Sequence, residues 1–144
     1  MYSTIKILHS YWAYLVILIL ALAALNALVK YFANKEFHAK DFRISLFALI
    51  VTHIQLILGL ILYFVSPLGL NNINADTMGN SFSRLLAVEH PLMGLVAVTL
   101  ITIGYSKHKK KLISKPKFKV IAIFYTIALV LVLSRIPWTV WPAA

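Results

Sequence analysis

The chain has 144 residues, a length that fits a single domain. Hydrophobic residues make up 61% of it and charged residues 12%, whereas ordinary soluble domains have about 45–50% and about 25%. A soluble globule of this size cannot hide so much apolar surface, so the composition argues against a water-soluble enzyme or a disordered segment and indicates a membrane protein. The absence of cysteine excludes disulfides, thiolate metal sites, Fe–S clusters and covalently attached c-type haem.

Four apolar stretches are long enough to cross a bilayer, which takes about 20 residues in a helix. They run over about 5–29, 44–65, 85–105 and 118–136, and polar or helix-breaking residues bound each of them. The first is predicted to be a span rather than a cleaved signal peptide, because its apolar run is longer than a signal-peptide core. The chain, 1–144, is therefore predicted to be one integral-membrane domain, an all-α bundle of four transmembrane helices.

Lysine and arginine are distributed unevenly between the two sides of this bundle. The first and third connections carry 11 of the 14, and the other side carries only Lys6, Arg84 and Arg135. Because the positively charged side of a membrane protein is cytoplasmic, both termini are predicted to lie outside. The basic third connection is then a topology signal that also meets anionic headgroups, and a nucleic-acid partner is not needed to explain the net charge of +10.

Ionisable side chains at membrane depth are costly and are candidates for function. Three of the five histidines lie in the predicted spans. His53 is at the middle of the second span, His90 is just inside the outer end of the third, and His9 is near the outer end of the first. His38 and His108 lie in the lysine-rich connections and are predicted to be solvated.

These histidines predict a non-covalently bound haem b, because two imidazoles on facing helices can hold a haem iron from both sides. His53 and His90 are the preferred pair of iron ligands, and His9 with His90 is the rival pair. At a rise of 1.5 Å per residue, His53 and His90 differ in depth by about 8 Å, which is the main argument against the preferred pair. The alternative is that the histidines only hydrogen-bond between helices.

Other residues near the outer end of the bundle fit a haem site. Gly94 lies one turn after His90 and can leave room for a porphyrin edge. Arg84 and Arg135 lie where they can meet haem propionates. Glu89, the only acid in a predicted span, can pair with either arginine, orient a ligand histidine or pass protons to a quinone. The alternative for Glu89 is a carboxylate favoured by the dipole at the start of a helix.

Four segments carry a resemblance to known proteins: Leu8-His9-Ser10-Tyr11, His53-Ile54-Gln55-Leu56, Glu89-His90-Pro91-Leu92-Met93 and Arg135-Ile136-Pro137-Trp138. They resemble a family of small four-span bacterial membrane proteins that carry the label cytochrome b or cytochrome b-like. The resemblance covers nearly the whole chain. The resemblance implies a b-type haem in the bacterial inner membrane and electron transfer within that membrane, with quinone or a respiratory complex as redox partner. Two other functions stay open: a structural or assembly subunit without haem, and a transporter or haem- or metal-handling protein.

The charge distribution generates a topology prediction. A reporter enzyme fused after Ala144 is expected to be active on the periplasmic side, and one inserted after Ser114 on the cytoplasmic side, because of the 11-to-3 division of Lys and Arg. Alkaline phosphatase and a fluorescent protein that matures only in the cytoplasm measure the two locations. The opposite pattern would invert the predicted position of every histidine.

Overall fold

The computed structural model of the protein describes residues 1–142. Its elements in chain order are α1 (Tyr2–Phe32), α2 (Ala39–Val65), a 3₁₀ turn (Leu70–Asn72), α3 (Ala75–Gly79), α4 (Ser81–Arg84), a π-helical turn (Leu85–Glu89), α5 (His90–Lys110) and α6 (Ser114–Ser134). No strand occurs in the described part of the chain, and the prediction of an all-α four-helix bundle is confirmed.

Four helical segments are long and apolar enough to cross a membrane: 2–32, 39–65, 81–110 and 114–134. They coincide with the four predicted spans but extend three to five residues further at the ends next to the basic connections. Lysine is a good helix former, and its long side chain can reach the headgroup region from a backbone that lies deeper. The helices therefore continue beyond the point where the apolar sequence stops.

The four long helices form a ring in the order α2, α1, α6, α5, so that α1 and α5 lie diagonally across the bundle. The α5–α6 seam is close, because a Cβ on Gly104 would lie 2.5 Å from the Cβ of Phe124. Small residues commonly allow such close approach between membrane helices. The seam between α2 and α5 is the loosest of the four.

The hydrophobic core fills only one half of the bundle. We call the half next to the 33–38 and 111–113 connections the inner half, and the half that contains both chain termini the outer half. The buried core lies in the inner half and consists of Leu20, Ala23, Ala24, Ala27, Ala48, Ala97, Ile101, Phe118, Ile121, Ala122, Tyr125 and Ala128. In the outer half, residues 2–15 of α1 and 53–65 of α2 include no fully buried side chain, so these two helices are less tightly packed at the outer end.

A buried carboxylate joins α1 to α2 at the inner end. Asp41 is 1% exposed and accepts hydrogen bonds from Asn26 Nδ2 at 2.9 Å, Lys30 Nζ at 2.6 Å and the backbone N–H of His38 at 2.8 Å. The prediction that Glu89 is the only acid in a span is wrong, since α2 begins at Ala39 and includes Asp41. Full pairing is what allows a charge to stay buried at this position.

Removal of this carboxylate is expected to destabilise the bundle. Asp41→Ala should lower the free energy of unfolding by about 2–4 kcal/mol, because Lys30 and Asn26 lose their common partner. Glu36→Ala is the matched control, since Glu36 lies on the same side and is 84% exposed; a change within about 0.5 kcal/mol is expected. Thermal denaturation in detergent measures both variants, and equal stability of the two would contradict the role of Asp41.

Candidate functional site

Two histidines face each other in the loosely packed outer half. The ring of His9 on α1 and the ring of His90 at the start of α5 have centroids 6.1 Å apart, with an angle of 85° between their planes. Because α1 and α5 are diagonal neighbours, the two rings meet across the interior of the bundle. The structure thus brings together the rival pair of the sequence analysis, His9 and His90.

A local irregularity of the helix positions His90. Pro91 has no N–H and cannot bond to the carbonyl of Ala87 four residues earlier, and the helix widens into a π turn just before this point. The freed carbonyl of Ala87 accepts a hydrogen bond of 2.9 Å from the hydroxyl of Tyr63 on α2. This interhelical bond fixes the backbone from which the His90 ring projects.

The orientation of the His90 ring is set by the end of α6. Its Nδ1 lies 2.8 Å from the backbone carbonyl of Arg135. A carbonyl oxygen can only accept, so Nδ1 carries the proton and Nε2 carries the lone pair. Metal-ligating histidines characteristically have this arrangement, with one ring nitrogen held by a carbonyl or carboxylate and the other available to a metal.

His9 is held against α2. A Cβ on Gly59 would lie 3.1 Å from Cε1 of the His9 ring, so glycine makes the notch into which this ring fits. One turn earlier, Gln55 Nε2 donates a hydrogen bond of 3.0 Å to the carbonyl of His9. His9 Nδ1 and Gln55 Oε1 are both buried and have no hydrogen-bond partner among residues 1–142. An unpaired buried polar group costs about 1–3 kcal/mol, which favours a further group at this place.

Sequence reasoning did not assign Gln55 and Gly59 to the site. One signal for them exists in the sequence, because Gly59 is the only glycine of the first two spans. It also lies four residues after Gln55, which places both on the same face of α2.

A charged cluster lies beside His90. Glu89 Oε2 is 2.8 Å from Arg84 Nε, and Glu89 Oε1 is 3.5 Å from Arg135 Nε. Of the roles considered for Glu89, the structure shows pairing with an arginine, and both arginines take part. Two guanidinium groups on one carboxylate leave a net positive charge next to His90. Both arginine side chains are partly exposed, at 36% and 46%, so each has donors left for another anion.

The surroundings of Gly94 are open. A Cβ at this position would meet no atom within 4 Å among the described residues. Gly94 lies one turn after His90 on α5, next to the loose part of the bundle. The open space agrees with the expectation that this position leaves room beside His90.

His53 lies away from this pair. Its Nδ1 is 2.7 Å from the Leu49 carbonyl on its own helix, and its Nε2 is 3.4 Å from the hydroxyl oxygen of Thr102. Thr102 is twelve residues beyond His90 on α5, which is about 18 Å along the helix axis. The structure therefore does not bring His53 and His90 together, and the contacts of His53 are those of a side chain that links two packed helices.

The two histidines of the basic connections differ from each other. The His38 side chain is 67% exposed, as predicted for a solvated residue. The same prediction for His108 is wrong, because His108 is fully buried. Its ring packs against Phe37, Phe42 and Tyr105, with centroid distances of 5.6, 5.9 and 5.0 Å. The physical reason is that α5 continues to Lys110, which turns His108 inward on the same face as Tyr105.

The donor set of the outer half suits some metal centres better than others. Zinc sites use three or four protein ligands, and no group of three or more His, Cys, Asp or Glu side chains that could hold a metal ion occurs in the described part of the chain. A haem iron takes four nitrogens from the porphyrin and needs only two axial ligands from the protein. Two facing imidazoles are therefore a sufficient protein contribution for haem.

The chain matches no protein-family model, no curated protein and no solved structure.

The burial of His108 generates a stability prediction. His108→Ala is expected to lower the free energy of unfolding by about 2–4 kcal/mol, because a cavity replaces a ring packed on three aromatic side chains. His108→Phe should cost less than His108→Ala, since it keeps an aromatic ring in the same place and removes Nε2, which has no partner among the described residues, although it also removes the Nδ1 hydrogen bond to the Tyr105 carbonyl. His38→Ala is the exposed control, and thermal denaturation measures all three. Equal stability of His108→Ala and His38→Ala would contradict the buried position.

Proposed function

We propose that the protein is a membrane b-type cytochrome that binds one haem in the outer half of the bundle, with His9 and His90 as the axial ligands. The observation that carries this proposal is the separation of 6.1 Å between the two ring centroids. Two imidazoles that bind one metal have centroids roughly 6 Å apart, if each metal–nitrogen bond is about 2 Å. The diagonal position of α1 and α5 supports the proposal, because the two rings meet in the bundle core, where cofactor sites of helical bundles are commonly built.

The surroundings of the pair also support a haem. The outer half is less tightly packed than the inner half, since no side chain of residues 2–15 or 53–65 is fully buried. An iron-bound imidazole needs an acceptor for the proton on its other nitrogen. For His90 that acceptor is the Arg135 carbonyl, and for His9 we assign it to the unpaired oxygen of Gln55, whose amide nitrogen already contacts the His9 backbone.

The haem would supply one-electron redox chemistry, and the chain would set its position and potential. Arg84 and Arg135 are the residues that would hold the propionates, because guanidinium–carboxylate bonds are strong and directional. Their pairing with Glu89 leaves one net positive charge close to the site. A nearby positive charge stabilises the more reduced form and raises the potential.

The proposed setting is the bacterial inner membrane, with quinone or a larger respiratory complex as the redox partner. Four helices able to cross a bilayer support a multi-pass membrane location. The bacterial membrane and the partner rest on the resemblance to the cytochrome b-like proteins. Nothing in the site requires the chain to transform a substrate, since the proposed chemistry is transfer of electrons.

The proposal predicts which histidines control the spectrum. Protein purified from haem-replete cells should show a Soret band, and dithionite should produce the sharp α and β bands of low-spin iron with two histidine ligands. His9→Ala and His90→Ala should each lose the haem or become high-spin, because an axial position opens. His53→Ala is the matched control, since it removes an imidazole from the same bundle and should leave the low-spin bands unchanged.

Added imidazole distinguishes a variant that has lost only an iron ligand from a variant that has not folded. If His9→Ala is folded and has only lost its ligand, imidazole should restore the low-spin spectrum. A folded wild-type protein that takes up no haem would overturn the proposal in favour of a structural or assembly subunit. Retention of the low-spin bands in His9→Ala together with their loss in His53→Ala would overturn the assignment of the ligands.

A further inference from the structure

Two adjoining cavities lie between α1 and α6 in the inner half. The first has a volume of about 370 Å³ and the second of about 530 Å³. Both are lined by Tyr31, Lys119 and Ile123, so they form one continuous depression, which we call the α1–α6 groove. It is far from the two facing histidines, which lie at the opposite end of the bundle.

The mouth of the α1–α6 groove is basic. Lys111, Lys115 and Lys119 line its wider cavity, and no acidic residue lines either cavity. Lys115 Nζ donates a hydrogen bond of 2.9 Å to Asn34 Oδ1 and lies 5.0 Å from the centre of the Tyr31 ring. These two contacts hold one cation over the groove, so the mouth presents positive charge that the lining residues do not neutralise.

The deeper part of the α1–α6 groove is apolar. Leu28 of α1 and Ile127 of α6 line it. Ile127 lies eight residues after Lys119, which is about 12 Å along the helix. Basic side chains at the interface with an apolar channel directly below them match one chemical class, an amphiphile with an anionic head and a hydrocarbon tail. Basic pockets between transmembrane helices bind anionic headgroups in this way.

We propose that the α1–α6 groove binds an anionic phospholipid of the inner leaflet. The phosphate is held by Lys111, Lys115 and Lys119, and one acyl chain lies along Ile123 and Ile127. The charge of the mouth selects an anionic head over a zwitterionic one, and the apolar channel selects a lipid over a free phosphate. This site does not involve the haem, so its test does not depend on the proposed function.

The headgroup test uses two lipids with the same acyl chains. Detergent-purified full-length protein is titrated with phosphatidylglycerol and with phosphatidylcholine, and native mass spectrometry measures the bound fraction. Wild type is expected to favour phosphatidylglycerol by at least about tenfold. The triple variant K111Q/K115Q/K119Q should lose this preference, whereas K35Q/K40Q/K110Q, which removes the same charge outside the groove, should keep it. Equal affinity of wild type for the two lipids, or equal loss in both triple variants, would overturn the proposal.

A second pair of variants tests the acyl channel without any change of charge. Ile127→Trp fills the groove, whereas Val130→Trp is the matched control on the same helix, since Val130 is 59% exposed and lines neither cavity. Ile127→Trp should weaken phosphatidylglycerol binding by at least about fivefold through loss of buried apolar area, and Val130→Trp should not. Equal binding by both tryptophan variants would show that the lipid does not occupy the groove.

Discussion

Polar groups inside a bilayer have no water to pair with, so hydrogen bonds and ion pairs between the helices hold this bundle together. Apolar burial contributes little to helix association in lipid, because lipid tails are as apolar as leucine. In the inner half, Asp41 joins α1 to α2, and the hydroxyl of Tyr125 on α6 donates to the Ser45 carbonyl of α2 at 2.8 Å. In the outer half, His9 Nδ1 and Gln55 Oε1 are left without partners among the described residues. His108 Nε2 in the inner half is likewise without a partner among the described residues. What distinguishes the outer half is its packing, since residues 2–15 of α1 and 53–65 of α2 include no fully buried side chain.

This division separates two roles along the membrane normal. The inner half is the close-packed part of the bundle. The basic mouth of the α1–α6 groove at this end has the chemistry to hold an anionic lipid. The outer half holds two imidazoles whose orientation comes from other elements: His90 from the π turn and the end of α6, and His9 from the Gly59 notch. A site formed by three helices and the end of a fourth is more rigid than its loose packing alone suggests. Such preorganisation is what a cofactor site requires of its ligands.

The fold was predictable from the sequence, because a spanning helix needs about 20 apolar residues and four such stretches occur. The histidine pair was only partly predictable. Helix rise already separated His53 from His90 in depth, but a linear sequence does not tell which helices become diagonal neighbours or which face each histidine occupies. Gln55 and Gly59 act through a neighbouring helix and leave only a weak local pattern. His108 was misplaced because the end of α5 depends on lysines that hydropathy assigns to a connection.

The central claim is that the loosely packed outer half is a haem compartment closed by His9 and His90. Hydrogen–deuterium exchange of the haem-free protein in detergent, with and without stoichiometric haem, tests this location directly. The account predicts that haem slows amide exchange in residues 2–15, 55–65 and 85–96, while exchange in residues 20–28 and 118–128, which are packed without it, stays unchanged. Protection confined to the inner half, or no protection anywhere in a protein that remains folded, would contradict it.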